Sequence, residues 1–285
     1  MVGDDLCAAW FNPAGMTLLP GTQVQAGGAF TYLDFKYEGV GGDKHNGRKG
    51  GVAIPEAYLT HQINDDLWFG MALVVPYGME TEYDNEYSGR ARGMNAKVIS
   101  FNLNPSLAWK VNEKVSIGAG VSMQYAYANF QNGATYPDGT IVPVLGDISG
   151  ENIAGASGRF KGNDIAFGMN LGAMWKPVDT VRIGLSWRSA VKHNVKGDFT
   201  TKGLPNPAMN GKTNAKLLFK SQQHVILSGA WDATPQWTLS GMIRWTDWST
   251  FKSLDVQNRA TGATLKETVT NYKDSWLFSL GADYK

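Results

Sequence analysis

The chain has 285 residues, 34 of them glycine and 10 tryptophan, with 18% charged residues, a formal net charge of +1 and one cysteine, Cys7. That charged fraction lies below the roughly 25% of soluble domains, the near-neutral balance gives no reason to expect nucleic acid, and a lone cysteine excludes an internal disulfide framework. No apolar run reaches the about 18 residues of a helical membrane span, whereas a transmembrane barrel, whose strands alternate polar and apolar positions, remains open.

Taken in chain order, Met1 to Asp5 lacks the charged, apolar and cleavage regions of a secretory signal. The strand pattern that follows leads us to expect a natural N-terminus further upstream. Asn12-Pro13-Ala14-Gly15-Met16-Thr17 is apolar and turn-prone, with no strand alternation. Pro13 fixes a turn there and Asn12 can hydrogen-bond the backbone to hold it.

Strands are predicted over 23–37, 52–63, 67–87, 95–111, 114–131, 163–177, 180–199, 214–231, 237–256 and 271–284. The third carries Pro76-Tyr77-Gly78 near its middle, where proline has no N–H for a neighbouring strand and glycine relaxes the backbone, so a kink is expected. In the fourth, Phe101, Leu103, Leu107 and Trp109 alternate with Asn102, Asn104, Ser106 and Lys110; in the fifth, Val115, Ile117 and Val121 alternate with Ser116, Gly118 and Ser122. This period of two runs far enough to cross a bilayer at a tilt. The apolar set is therefore expected to face lipid (Val115, Val121, Leu171, Ile183, Leu185) and the small polar set the lumen (Ser116, Ser122, Asn170, Arg182, Ser186).

Connections are sorted by length, with short turns at 64–66, 112–113, 178–179 and 232–236 and longer loops between them. Short turns at one end and long loops at the other match the periplasmic and extracellular sides of an outer-membrane barrel. A connection of about thirty residues, 132–162, reads as a functional loop. Its Tyr136, Ile141, Val142, Val144, Leu145 and Ile148 are too apolar for an idle exposed loop, unless it packs on itself. Trp109, Trp175, Trp231, Trp237, Trp245, Trp248 and Trp276 sit near strand ends, as interfacial belts do.

Arg182, Arg188, Lys192 and Arg244 fall on the polar register and are candidates to meet a substrate carboxylate, with pairing to lumenal acids as the alternative. His45, His61, His193 and His224 lie on separate segments with no nucleophile in register; His61 and His193 are expected at the lipid face or rim. No metal-ligand spacing or phosphate loop is present, so neither metal nor cofactor is expected, and an enzyme is disfavoured.

The Asn12-Pro13-Ala14 run resembles the motif in the N-terminal hatch of the FadL family, outer-membrane transporters of long-chain fatty acids and aromatic hydrocarbons. Further resemblances follow in the family's order: Val75 to Tyr83, Phe101 to Asn104, Trp187 to Lys192, Trp245 to Phe251 and Tyr272 to Trp276. The resemblance implies an all-β, antiparallel transmembrane barrel of fourteen strands, with even strand numbers the rule for bacterial barrels. About ten are present here, so the sequence reads as a piece lacking both ends, with a complete ten-stranded barrel as the alternative. Residues 1–20 would be the hatch in the lumen and 21–285 the barrel. The implied protein is a monomer of the bacterial outer membrane, in contact with lipid and lipopolysaccharide. It would catch a hydrophobic small molecule at the loops, hold it in the lumen and release it sideways at Pro76, Tyr77 and Gly78. Fatty acid and neutral hydrocarbon stay open, and a general porin or adhesin barrel is the other function class.

Overall fold

The computed structural model describes residues 5–39, 42–84, 86–136 and 151–284, and the backbone alone of 141–142 and 146–147. The strands are β1 (Thr22–Glu38), β2 (Lys44–Gln62), β3 (Leu67–Val74), β4 (Gly78–Glu82), β5 (Asn95–Asn112), β6 (Val115–Thr135), β7 (Ile141–Val142), β8 (Gly146–Asp147) and β9 (Asn152–Val178). There follow β10 (Val181–Arg188), β11 (Lys192–Lys202), β12 (Gly211–Lys220), β13 (His224–Asp232), β14 (Trp237–Thr246), β15 (Ser253–Asn258), β16 (Thr264–Val269) and β17 (Ser275–Tyr284).

All but the small β7–β8 hairpin join one antiparallel sheet whose main path, β1-β2-β3-β5-β6-β9-β10-β13-β14-β17, follows the chain. Its ten members are the ten predicted traverses. Five are broken: β3 continues as β4, β10 as β11, β12 leads into β13, β14 continues as β15, and β16 leads into β17. Among the described residues β1 and β17 are the two edges and do not pair with each other. The loop expected over 132–162 is shorter than its sequence suggested, because β6 runs on to Thr135 and β9 starts at Asn152, the two pairing from Val115↔Trp175 to Thr135↔Asn152.

Side chains alternate as the pattern required. Val121, Leu171 and Leu185 are exposed, while Ser116, Ser122, Asn170 and Ser186 are buried; Val115, Ile183 and Arg182 are half-buried. Along β9 the outward positions Trp175, Leu171, Met169, Phe167 and Ile165 are exposed and apolar. At about 3.4 Å per residue and a tilt near 45°, that stretch is about 24 Å tall, the thickness of an outer-membrane apolar band. Beyond it the outward residues are Asn163, Lys161 and Arg159, and the inside becomes apolar instead. Phe160, Val195, Leu217, Ala215, Ala128 and Val256 form a buried cluster there.

Candidate functional site

The N-terminal segment lies within the curl of the sheet. A short helix α1 (Ala8–Phe11) leads into a 3-10 helix (Pro13–Leu18), and Asn12 joins them. The Asn12 side chain accepts the Ala14 N–H at 3.2 Å and donates to the Ala173 carbonyl of β9 at 3.1 Å. Thr17 donates to Ser116 on β6 at 2.9 Å, and the Trp68 indole N–H donates to the Leu19 carbonyl at 2.8 Å. Pro13, Ala14, Gly15 and Met16 are buried, with Met16 packed among Trp10, Tyr58, Trp68, Ala72 and Ala108.

Two inward glycines explain how the segment comes so close. A Cβ at Gly118 would lie 2.6 Å from the Ala14 amide nitrogen and 2.7 Å from the Pro13 carbonyl carbon, and one at Gly172 would strike the Asn12 side chain. The small face of the alternation is thus the bed of Asn12, Pro13 and Ala14.

Next to α1 is a cavity of about 510 Å³ lined by Trp10, Phe11, Val74, Val75 and Trp248 among apolar groups, with Arg188, Arg244 and His224 among polar ones. Four strand breaks contribute to it, through Pro76 and Tyr77, Ser189 and Val191, Ser221 and Gln222, and Trp248. Trp248, expected in an interfacial belt, is here a cavity wall.

Arg188 ends β10 and is buried. It donates to Asn104 Oδ1 at 3.0 Å, to Ser122 Oγ at 2.6 Å and to the Trp10 carbonyl, and its guanidinium lies 3.5 Å over the Trp10 ring. All those acceptors are neutral. Arg244, on β14, has a buried Nε with no acceptor. Neither arginine forms an ion pair among the described residues; the lining acid, Glu56, accepts from the Tyr58 hydroxyl at 2.9 Å. Buried cations are ordinarily matched by an acid, so the cavity carries positive charge in search of a partner.

The seam beside this cavity is where the sheet stops pairing. β2 and β3 are bonded from Gln62↔Trp68 to Ala57↔Leu73, but β4 pairs only with β5. β3 meets β5 at Val74↔Asn102 and β4 resumes at Gly78↔Ile99, so three residues on one strand face two on the other, a bulge containing Pro76. Tyr77 anchors it, its N–H donating to Ser100 Oγ at 3.1 Å and its carbonyl accepting the Ser100 N–H at 2.9 Å. A second proline completes the seam. Gln62 donates its N–H to Gly21 ahead of β1 and Ile63 donates to Leu67 of β3, so even residues of β2 bond towards β1 and odd ones towards β3. The unbroken register with β1 carries that parity to Pro55, whose missing N–H therefore faces the seam. A Cβ at Gly78 would meet nothing within 4 Å.

Other sequence candidates scatter. Arg182 lies 3.4 Å from Asp232 and lines a separate small pocket below the segment. Lys192, expected on the lumenal register, is exposed and points outward: the break at 189–191 shifts the phase by one, so that even residues face inward in β10 and odd ones in β11. The same shift turns His193 inward, against the expected rim placement, where it meets Asp164 at 3.2 Å and Gln124 at 2.9 Å. Tyr136 donates its backbone N–H to the Glu151 carbonyl at 2.9 Å. Ile141 and Val142 form β7, and Val144, Leu145 and Ile148 lie outside the described residues. Sequence reasoning missed Trp10, Pro55, Asn104 and Ser122 as site residues; only Pro55, a proline inside a strand pattern, carried a visible signal.

A family model described as outer membrane protein transport protein (OMPP1/FadL/TodX) matches residues 1–285. The chain belongs to that family. It is an outer-membrane transport protein, not an enzyme. A long-chain fatty acid transport protein of Salmonella typhi is 27% identical over 99% of this chain and 69% of its own length. A Pseudomonas aeruginosa FadL homologue superposes with a TM-score of 0.81 at 23% identity, covering 99% of this chain and 72% of that one. The Ralstonia pickettii toluene transporter TbuX superposes at 0.77 with 18% identity, covering 98% and 78%. These structures carry the barrel fold.

Proposed function

We propose that the protein admits hydrophobic molecules bearing one acidic headgroup, long-chain fatty acids being the model, and releases them sideways through the seam between β2 and β4. The observation that carries the headgroup is the pair Arg188 and Arg244, two cations with no ion pair among the described residues, beside a largely apolar cavity. A carboxylate there gains charge-assisted hydrogen bonds, and its tail is kept from water by Trp10, Phe11, Val74 and Trp248. The name of the Salmonella relative points the same way. The loop around Tyr136, Ile141, Val142, Val144, Leu145 and Ile148 is the entry surface. Residues before Thr22 act as the plug: Arg188 holds the Trp10 carbonyl, so a carboxylate that drew Arg188 away would free the segment carrying Asn12, Pro13 and Ala14. The barrel works as a monomer against lipid and lipopolysaccharide.

Two variants test this in the outer membrane, with heat-modifiable gel mobility as the folding control. Arg244→Gln should lower long-chain fatty acid uptake by about 10-fold or more, the worth of a charge-assisted hydrogen bond, and leave toluene uptake unchanged. An equal fall for both substrates would sink the acidic-headgroup reading in favour of neutral hydrocarbons. Gly78→Glu, whose side chain has room, should block both. Unchanged uptake in that variant places the exit elsewhere.

A further inference from the structure

A seam lacking backbone bonds needs something to define its far end. β2 and β4 converge again beyond the prolines without forming a ladder. A Cβ at Gly47 of β2 would lie 3.1 Å from the Glu82 carbonyl and 2.9 Å from the Tyr83 ring, so the strands touch there. Glu80 of β4, only 11% exposed at its side chain, is held between Arg48 of β2 and Lys97 of β5, the latter at 3.0 Å. Further out, His45 lies 3.3 Å from Asp84 and 2.8 Å from Asp43.

The last backbone pair below, Ala57↔Leu73, and the contact of Gly47 with Tyr83 above, beside the Arg48–Glu80 pair, enclose ten residue steps on each side. Over that interval, among the described residues, no backbone pairing joins β2 to β4. Each side carries a proline there, Pro55 and Pro76, that lacks a donor for the other. The result is an unladdered stretch, the slit of the lateral-exit reading, tied at one end by backbone and at the other by side chains.

We propose that the Arg48–Glu80–Lys97 cluster is the strut that closes the outer end of this slit and so limits the bulk of the molecules that leave through it. Glu80 is a positioning residue: it touches two cations and no ligand. The inference rests on the lateral-exit reading. A backbone ladder would hold its spacing whatever side chains it bore, whereas a strut made of charges yields when one is neutralised.

The test uses spin labels at Ala53→Cys on β2 and Met79→Cys on β4, with Cys7→Ser removing the native thiol, in the full protein reconstituted in lipid. Glu80→Gln should lengthen or broaden the distance between labels. It should also raise uptake of a branched or ring-bearing fatty acid several-fold relative to a straight-chain one. Lys97→Gln, which leaves Arg48–Glu80 in place, should change both less. An unaltered distance in Glu80→Gln overturns the strut, and a wider spacing with an unaltered uptake ratio overturns its control of bulk. Both results stand apart from Gly78→Glu, which tests the lateral route itself.

Discussion

On β9 one uninterrupted strand serves two opposite environments. From Trp175 to Ile165 its outward side chains are apolar and its inward ones, Met174 apart, small or polar, with Asn170 buried; from Asn163 to Arg159 the outward side chains are polar and Phe160 is buried within. The backbone does not change, so the inversion is written entirely in side chains. The half near the short turns has lipid outside and a hydrogen-bonded lumen holding the N-terminal segment. The half near the loops has a polar exterior and the apolar cluster around Phe160 and Leu217 within. A hydrophobic molecule arriving from the loop end thus meets a polar outer wall and an apolar interior. Four of the five broken traverses put their breaks at the cavity between the two halves, where a strand must stop serving one pattern and start serving the other.

The contrast can be broken from either side. Phe160→Ala removes the largest fully buried side chain of the loop-end lumen and should cost about 3–5 kcal/mol in equilibrium urea unfolding from vesicles. Had that half been an open aqueous channel, the loss would be near zero. Between the halves in size comes Gly118→Ala, whose Cβ meets backbone atoms of Pro13 and Ala14 that cannot swing aside. About 1–3 kcal/mol of overpacking is expected. Protease sensitivity at Asn12 should rise while the gel mobility of the barrel stays native. A resistant segment would mean that the glycine face is not what seats it.

Much of this was legible beforehand. Alternation located all ten traverses and the correct face for Val121, Ser122, Leu185 and Ser186, because a half-buried strand leaves a period of two that no loop imitates. The kink at Pro76 was visible because proline announces its missing donor. The breaks at 189–191 and 221–223 were not, since Ser189, Ala190 and Val191 continue an acceptable strand pattern while the pairing slips beneath it. That slip misplaced Lys192 and His193, as a one-residue shift must. Arg188 was found by register, but its partners Trp10, Asn104 and Ser122 come from three distant segments, and only the curl of the sheet brings them together. The length of the loop after Thr135 was overestimated because its polar flanks extend β6 and β9 beyond the apolar band, where alternation no longer signals a strand.

The edge of the apolar band offers the finest comparison. Leu171 and Ile165 both face outward from β9 and both are exposed, so burial alone assigns them equal tolerance to charge. Position within the membrane does not. Leu171 lies near the middle of the Trp175 to Ile165 stretch, and Leu171→Arg should cost about 2–4 kcal/mol, as a cation does at the bilayer midplane. Ile165 adjoins Asn163 and Lys161, where a long side chain can reach the polar headgroups, and Ile165→Arg should cost about 0–1 kcal/mol. The difference between two arginines six residues apart on one strand, read by unfolding in bilayers of one thickness, measures where lipid ends. Equal costs at both sites would move the boundary past Asn163 and remove the inversion on which the two-halves account depends. A larger cost at Ile165 than at Leu171 would place the bilayer midplane nearer Ile165.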